Sequence, residues 1–155
     1  MKKIAGAIAV FVITYALFSA AGCLFPIDQE WYNSLKKPDW TPSGSAIGII
    51  WAILFALISL SAAIVYAAFS FKDAKSFWFV LLINYVLNQA FSYFQFTQKN
   101  LLAASIDCLL VAITALVLMI VSKKYSKAAS YLLLPYVLWS AFATFLSFTI
   151  ESMNL

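Results

Sequence analysis

Residues 100–127 read NLLAASIDCLLVAITALVLMIVSKKYSK. From 100 to 122 the run holds one charge, Asp107, and it stops at a cluster of lysines, Lys123, Lys124 and Lys127. About 20 apolar residues in a helix cross the ~30 Å hydrocarbon core of a bilayer, and this run meets that length. Four further stretches have the same character: residues 4 to 25, 46 to 71, 76 to 98 and 128 to 150. Asp107 is the only charged residue inside any of the five. The joints at 72 to 75, 99 and 123 to 127 are too short to hold structure of their own, so consecutive helices run antiparallel. The fold class is therefore all-α integral membrane, a bundle of five transmembrane helices forming a single domain over residues 1–155.

Composition agrees. Of the 155 residues 65% are hydrophobic and 10% charged, with a mean hydropathy of +0.94, where a soluble domain has roughly a quarter of its residues charged. Helices apolar all round are stable when their outer faces meet lipid, so the bilayer is the first partner. Ten lysines against six acids give a net +4. These charges sit in short clusters between the spans rather than along a groove, so no nucleic acid partner is expected. There is no histidine. Its absence removes the commonest metal and axial haem ligand and any Ser-His or Cys-His pair; no metal site and no required cofactor are expected. Cys23 and Cys108 lie in separate apolar segments without ligand spacing and read as packing residues. Met1-Lys2-Lys3 followed by an apolar run resembles a leader. Yet 22 uncharged residues give about 33 Å of helix, so the expectation is a retained first span.

The lysine distribution orients the bundle, because cytoplasmic loops carry the basic excess. With the N-terminus inside, seven lysines (2, 3, 72, 75, 123, 124 and 127) lie on the inner side and three (36, 37 and 99) outside. A multi-pass protein with cytoplasmic N-terminus and external C-terminus follows. The one long connection, residues 26 to 45, carries Pro26, Pro38, Pro42, Gly44, Trp31, Trp40 and five charges, and is long enough to fold over a bundle mouth.

Some residues inside the spans need an explanation. Asn84, Asn88, Ser92 and Gln95 recur at steps of four, four and three, on one helix face. Lipid is a poor neighbour for that face. It joins helices by hydrogen bonds, lines a cavity that offers an apolar ligand a few polar contacts, or does each at different positions. Asp107 marks an inward face and reads first as a hydrogen-bonded helix clamp; no second titratable group in the spans supports a proton relay. Trp31, Trp40 and Trp78 lie near span ends, where indoles form interface belts. Trp51 and Trp139 lie deeper, with Phe55 and Ala143 each four residues on and so on the same faces. They suit either core packing or a wall against which a flat ligand stacks. Pro135 is expected to kink the fifth helix. The patterns Gly44–Gly48 and Ala52–Ala56 permit close helix contact.

The first loop reads Trp31-Tyr32-Asn33-Ser34-Leu35-Lys36-Lys37-Pro38-Asp39-Trp40-Thr41-Pro42, with Trp51-Ala52-Ile53-Leu54-Phe55 nine residues after Pro42. The fifth span contains Pro135-Tyr136-Val137-Leu138-Trp139-Ser140-Ala141-Phe142-Ala143-Thr144. Together these resemble the translocator protein family, also called tryptophan-rich sensory proteins or peripheral benzodiazepine receptors. Asn88 and Asp107 fall where that family has its third-span Asn and fourth-span Asp. The resemblance runs from about the first span to Leu146. It implies a bacterial cell-membrane receptor, often a homodimer, that binds protoporphyrin IX or haem and isoquinoline carboxamide or benzodiazepine ligands between the helices, with the long first loop capping the pocket. By position Trp51, Asn88, Trp139 and Ala143 line that pocket, with Trp31, Trp40, Pro42, Phe55, Phe91, Phe142 and Leu146 as neighbours. Asn84 joins this ligand-binding set through the polar line.

The sequence also departs from the family. Ser43 replaces the second Pro of the loop motif, Phe55 a frequent Tyr, and Gln89 and Phe91 the Trp pair after Asn88. Phe148-Thr149-Ile150-Glu151 lacks the Tyr and basic residue of the cholesterol motif. Three functions are then expected in order. The first is a tetrapyrrole sensor in which Trp51 and Trp139 stack on the macrocycle, Asn88 bonds its edge and Lys36 and Lys37 meet the propionates. The second is light-dependent porphyrin degradation at Trp51 and Trp139, there being no ordinary catalytic set. The third is transport of porphyrin or another lipophile.

Overall fold

The structure, a computed structural model, describes residues 2–155; of the N-terminal lysine-flanked segment, Met1 lies outside the described residues. The first span comprises α1 (Lys2–Ser19) and α2 (Ala21–Leu24). A short helix, α3 (Gln29–Ser34), lies in the first loop. The second span is α4 (Gly44–Ala68), the third α5 (Lys75–Ser92) continued by a π-helical turn, Tyr93–Thr97, and the fourth α6 (Leu101–Ser122). The fifth is made of α7 (Lys127–Leu132) and α8 (Leu134–Met153). Five helices are long and apolar enough to cross a membrane, and no strand occurs among the described residues. The expected spans shift by up to three residues at their ends, because polar caps rather than hydropathy set the boundaries. Ser43 accepts from the Ala46 N–H, Asn100 from Ala103 and Ser126 from Ala129, each closing an orphan first-turn donor. The serine that departs from the family's loop motif is thus the cap that starts the second span.

The spans close a ring in the order one, two, five, four, three. In hydrocarbon there is no water to satisfy polar groups, so they pair across helices. At the end carrying the 72–75 and 123–127 joints the bundle is solid around Ala62, Val65, Phe77, Leu118, Ala129 and Leu133. There Ser61 donates to the Ala129 carbonyl at 2.9 Å, Ser130 to the Met119 carbonyl at 2.7 Å, and Ser76 meets the Tyr125 hydroxyl at 2.7 Å.

Towards the other end the ring opens. The fifth span breaks at Leu133, two residues before Pro135, whose missing N–H and fixed φ suit the first turn of α8. Below the break α7 packs on both α4 and α6; above it α8 stays on α6 and leaves α4 almost free. This loss of contact between α4 and α8 parts the second and fifth helices at the level of Trp51 and Trp139. The kink expected at Pro135 is therefore what hollows the bundle.

Two expectations about packing are corrected. Gly44 and Gly48 make no close helix contact, since a Cβ built on either meets nothing within 4 Å. The tight approach is at Gly6, where a Cβ would stand 2.6 Å from the Tyr66 ring. Trp78, expected in an interface belt, is half-buried against Phe71 and Phe77, with its ring nitrogen buried and unpaired rather than turned outward.

Candidate functional site: an uncharged cavity between five helices

A cavity of about 440 Å³ occupies the open half of the bundle, lined by all five spans and by the first loop. From α4 come Gly44, Ile47, Gly48, Trp51, Ala52 and Phe55; from α8 come Trp139, Ala143, Leu146, Ser147 and Ile150. The third span supplies Asn88, Phe91, Ser92, Gln95 and Phe96, the fourth Cys108 and Val111, and the first Tyr15, Phe18, Ser19, Ala21 and Gly22. No charged side chain lines it. The indole of Trp51 sits against Phe55 at 5.6 Å between ring centroids and edge-on to Tyr136 at 6.2 Å. The Trp139 ring packs on Phe142 at 5.3 Å, and its nitrogen is buried without a hydrogen-bond partner.

The polar line of the third span divides between two jobs. Asn84 is fully buried and does not line the cavity. Its amide N–H group donates to the Val111 carbonyl at 3.2 Å and the Thr114 hydroxyl at 2.8 Å, while its oxygen accepts from the Tyr136 hydroxyl at 2.7 Å. The Asn88 amide donates to that same hydroxyl at 3.2 Å. Asn84 is therefore a joint between spans three, four and five. Asn88 has one foot in this joint and one in the cavity, and Ser92 and Gln95 face the cavity.

Other expected site residues stand elsewhere. Trp40 is exposed and stacks on the outward-facing Phe145 at 5.4 Å and 18°, with Phe142 edge-on at 5.8 Å. It braces the loop on the outer flank of the fifth helix. Phe142 belongs to a shallow apolar cleft between spans two and five, which Trp139 separates from the inner cavity. Pro42 and Trp31 do not line the cavity. Asp107 is 3% exposed, so it does face inward. The expected clamp is absent, because among the described residues its carboxylate makes no hydrogen bond and one oxygen is fully buried.

The loop meets the cavity through Ile27, Gln29 and Tyr32, and burial raises the Tyr32 phenol above its usual range, keeping it neutral. Lys37 turns back onto its own loop. Its ammonium donates to the Tyr32 and Leu35 carbonyls at 2.7 and 3.2 Å. Two attachments pin the loop from outside. Lys99, whose φ of 54° makes the sharp turn between spans three and four, bonds the Asp28 carboxylate at 2.9 Å and lies over the Trp31 ring at 5.6 Å. At the C-terminal end Asn154 accepts from the Lys36 N–H at 3.0 Å and donates to the Lys36 and Ile150 carbonyls at 2.8 and 2.7 Å.

The Lys99 hydrogen bond, and then the Trp31 N–H, hold the Asp28 carboxyl below its usual pKa. A depressed carboxyl stabilises above its unfolded pKa and loses that contribution as pH falls through the folded one, so this attachment weakens on acidification. Both its partners are exposed, so Lys99→Ala is expected to speed proteolysis within residues 26–43 by no more than about fivefold. Asn154→Ala, which strips a double backbone clasp, is expected to speed it by about tenfold. Equal rates in Asn154→Ala and the parent would remove the clasp from this account.

Sequence reasoning missed Tyr15, Phe18, Tyr32 and Cys108 as cavity residues. Tyr32 stood inside the quoted loop motif and Cys108 beside Asp107. The first-span residues carry no local signal, since a Tyr or Phe there has the same pattern whichever way it faces. Gln89 was noted as a departure; its amide caps the Phe18 carbonyl at 3.0 Å, where the first helix breaks at Ser19.

Fold and cavity together define a class: a multi-pass membrane protein whose five helices enclose an uncharged, aromatic-lined hollow beneath a pinned loop. Comparison with known proteins narrows it. The model of the TspO/MBR family matches residues 7–153. The chain is 90% identical over 155 residues to the uncharacterized membrane protein YtaB of Bacillus subtilis (strain 168), covering all of both chains. It is 59% identical to the tryptophan-rich protein TspO of Bacillus cereus over 154 residues, 99% of each. To the protein of that name from Chlorobaculum tepidum it is 34% identical over 137 residues, 86% of this chain and 87% of the relative. The chain belongs to the TspO/MBR family.

Proposed function

We propose that this protein is a membrane receptor or sensor that takes a flat, mostly apolar ligand of the tetrapyrrole class, protoporphyrin IX or haem, and isoquinoline carboxamide or benzodiazepine-type molecules, into the inter-helical cavity. The observation that carries this reading is the pair of indoles, Trp51 and Trp139, brought from separate helices to one uncharged hollow. Its volume of about 440 Å³ falls within the range of roughly 300–1,000 Å³ that small-molecule sites occupy. Apolar walls with a few amides give such a ligand burial plus orientation. A porphyrin's propionates, which need water or cations, belong at the loop mouth, since no cation lines the interior.

Titration of the purified chain with protoporphyrin IX in darkness tests the reading. Saturable quenching of indole fluorescence is expected, and its apparent affinity should fall when Trp51 and Trp139 are both replaced by Phe. Parent-like affinity in the double replacement would remove the ligand from this cavity.

A second reading, light-dependent degradation of bound porphyrin, draws on the unpaired Trp139 ring nitrogen: an electron-rich indole stands where an excited macrocycle and dioxygen meet. The same titration under illumination in air separates it from sensing. A defined product formed faster than from free porphyrin supports degradation, and identical rates and products exclude it. Transport has less support, because the packed core around Val65, Phe77 and Leu118 closes the opposite end of the cavity.

A further inference from the structure

The third helix does not reach its end as a regular α-helix. It widens into the π-helical turn Tyr93–Thr97, a feature that recurs at functional sites because it re-aims side chains that a regular turn would place elsewhere. The one buried residue of this turn is Gln95, 6% exposed and part of the cavity lining. Its amide oxygen is buried, and neither end of the amide has a hydrogen-bond partner among the described residues.

The other amides of the helix each make at least one hydrogen bond, although the Gln89 oxygen is also buried without a partner. Asn84 bonds Val111, Thr114 and Tyr136; Asn88 bonds Tyr136; Gln89 bonds the Phe18 carbonyl. Burying an amide without partners is costly, and the cost is relieved when a partner arrives. Gln95 is thus the buried cavity amide of the third helix whose hydrogen-bonding capacity is still open.

The chemistry of the partner follows from the amide itself. Gln offers a donor and an acceptor side by side, which match a group presenting an acceptor and a donor side by side. A carboxamide with a free N–H, or a lactam, does so while neutral. An ionised carboxylate does not suit, because no cation in the cavity wall would compensate its charge. We propose that Gln95 is the specificity-determining polar contact of the cavity and selects ligands that carry an N–H carboxamide or lactam on a flat apolar body. This rests on the cavity being the ligand site, and it differs from the sequence expectation, which gave that contact to Asn88.

The test uses two probes, N-benzylnaphthamide and its N-methylated counterpart, which lacks the N–H. Each is titrated by indole quenching in darkness into the full chain in lipid nanodiscs. The parent protein is expected to prefer the N–H probe by about five- to tenfold. Gln95→Met, close in shape, is expected to erase that preference by weakening the N–H probe more than the N-methyl probe, which has only its carbonyl bond to lose. Gln95→Leu serves the same comparison if the Met variant does not fold. An undiminished preference in either folded variant overturns the role of Gln95 alone, provided that both probes are lost in Ala143→Trp, where the cavity is filled. If neither probe quenches the parent protein, the cavity reading fails and the role of Gln95 with it.

Discussion

Ala143→Trp is expected to abolish ligand binding while leaving the bundle folded. Ala143 stands one helical turn from Trp139 and projects into the cavity between the indoles. A third indole at that position grows into unfilled space rather than into packed neighbours, so the strain that usually accompanies overpacking is small. The space it takes is the space a flat ligand would need. Ligand and side chain then exclude each other, and affinity for protoporphyrin IX is expected to fall by at least ~100-fold, the scale expected when about 3 kcal/mol of contact is denied. Because the variant adds a fluorophore, binding is best read from the shift of the porphyrin Soret band in darkness. Thermal unfolding of the same sample checks the fold. Ala143→Gly removes one methyl from the wall and should bind within about threefold of the parent. Retained binding in a folded Ala143→Trp protein would place the ligand outside this cavity.

How much of this was legible beforehand depended on whether the signal was local. Five spans, their antiparallel order and the inward face of Asp107 follow from the cost of charge in hydrocarbon, a property each segment carries alone. Trp51 and Trp139 were identifiable as candidates because a deep indole with a small or aromatic residue four positions on is a local pattern. The ring order, with the fifth helix between the second and the fourth, has no local signature. It decides which face of the first span is wet by the cavity, so Tyr15 and Phe18 went unseen. The division of labour along the third helix was hidden for the same reason: Asn84 and Gln95 lie on one stripe. What separates them is Tyr136, fifty residues on, whose hydroxyl reaches Asn84 and Asn88 and leaves Gln95 free. Trp40 illustrates the reverse error. Its place in a recognisable loop motif says where it is conspicuous, and the stacking partner that holds it, Phe145, turned out to face outward.

Asn84→Leu is expected to cost about 2–4 kcal/mol of stability, the largest effect of any single polar replacement in the bundle. The two side chains are similar in size, so the change isolates hydrogen bonding from packing. Three bonds from Asn84 to the fourth and fifth spans vanish. Hydrogen bonds between membrane helices average about 0.6 kcal/mol each, which alone gives roughly 2 kcal/mol. The Tyr136 hydroxyl, 0% exposed, is also left with nothing to donate to, and an unsatisfied buried donor adds about 1–2 kcal/mol. Tyr136→Phe removes the hydroxyl instead and should cost less, about 1–2 kcal/mol, because the Asn84 amide keeps its bonds to Val111 and Thr114. The double replacement decides whether this is a network. Once the hydroxyl is gone Asn84→Leu no longer strands it, so the pair should cost at least about 0.5 kcal/mol less than the sum of the singles. Equilibrium unfolding in mixed detergent micelles measures all three. Strict additivity, or an Asn84→Leu protein as stable as the parent, would show that the third, fourth and fifth helices are held by packing alone. The cavity wall would then owe its shape to Pro135 and the parting of the fifth helix from the second above Leu133, and not to the buried amides.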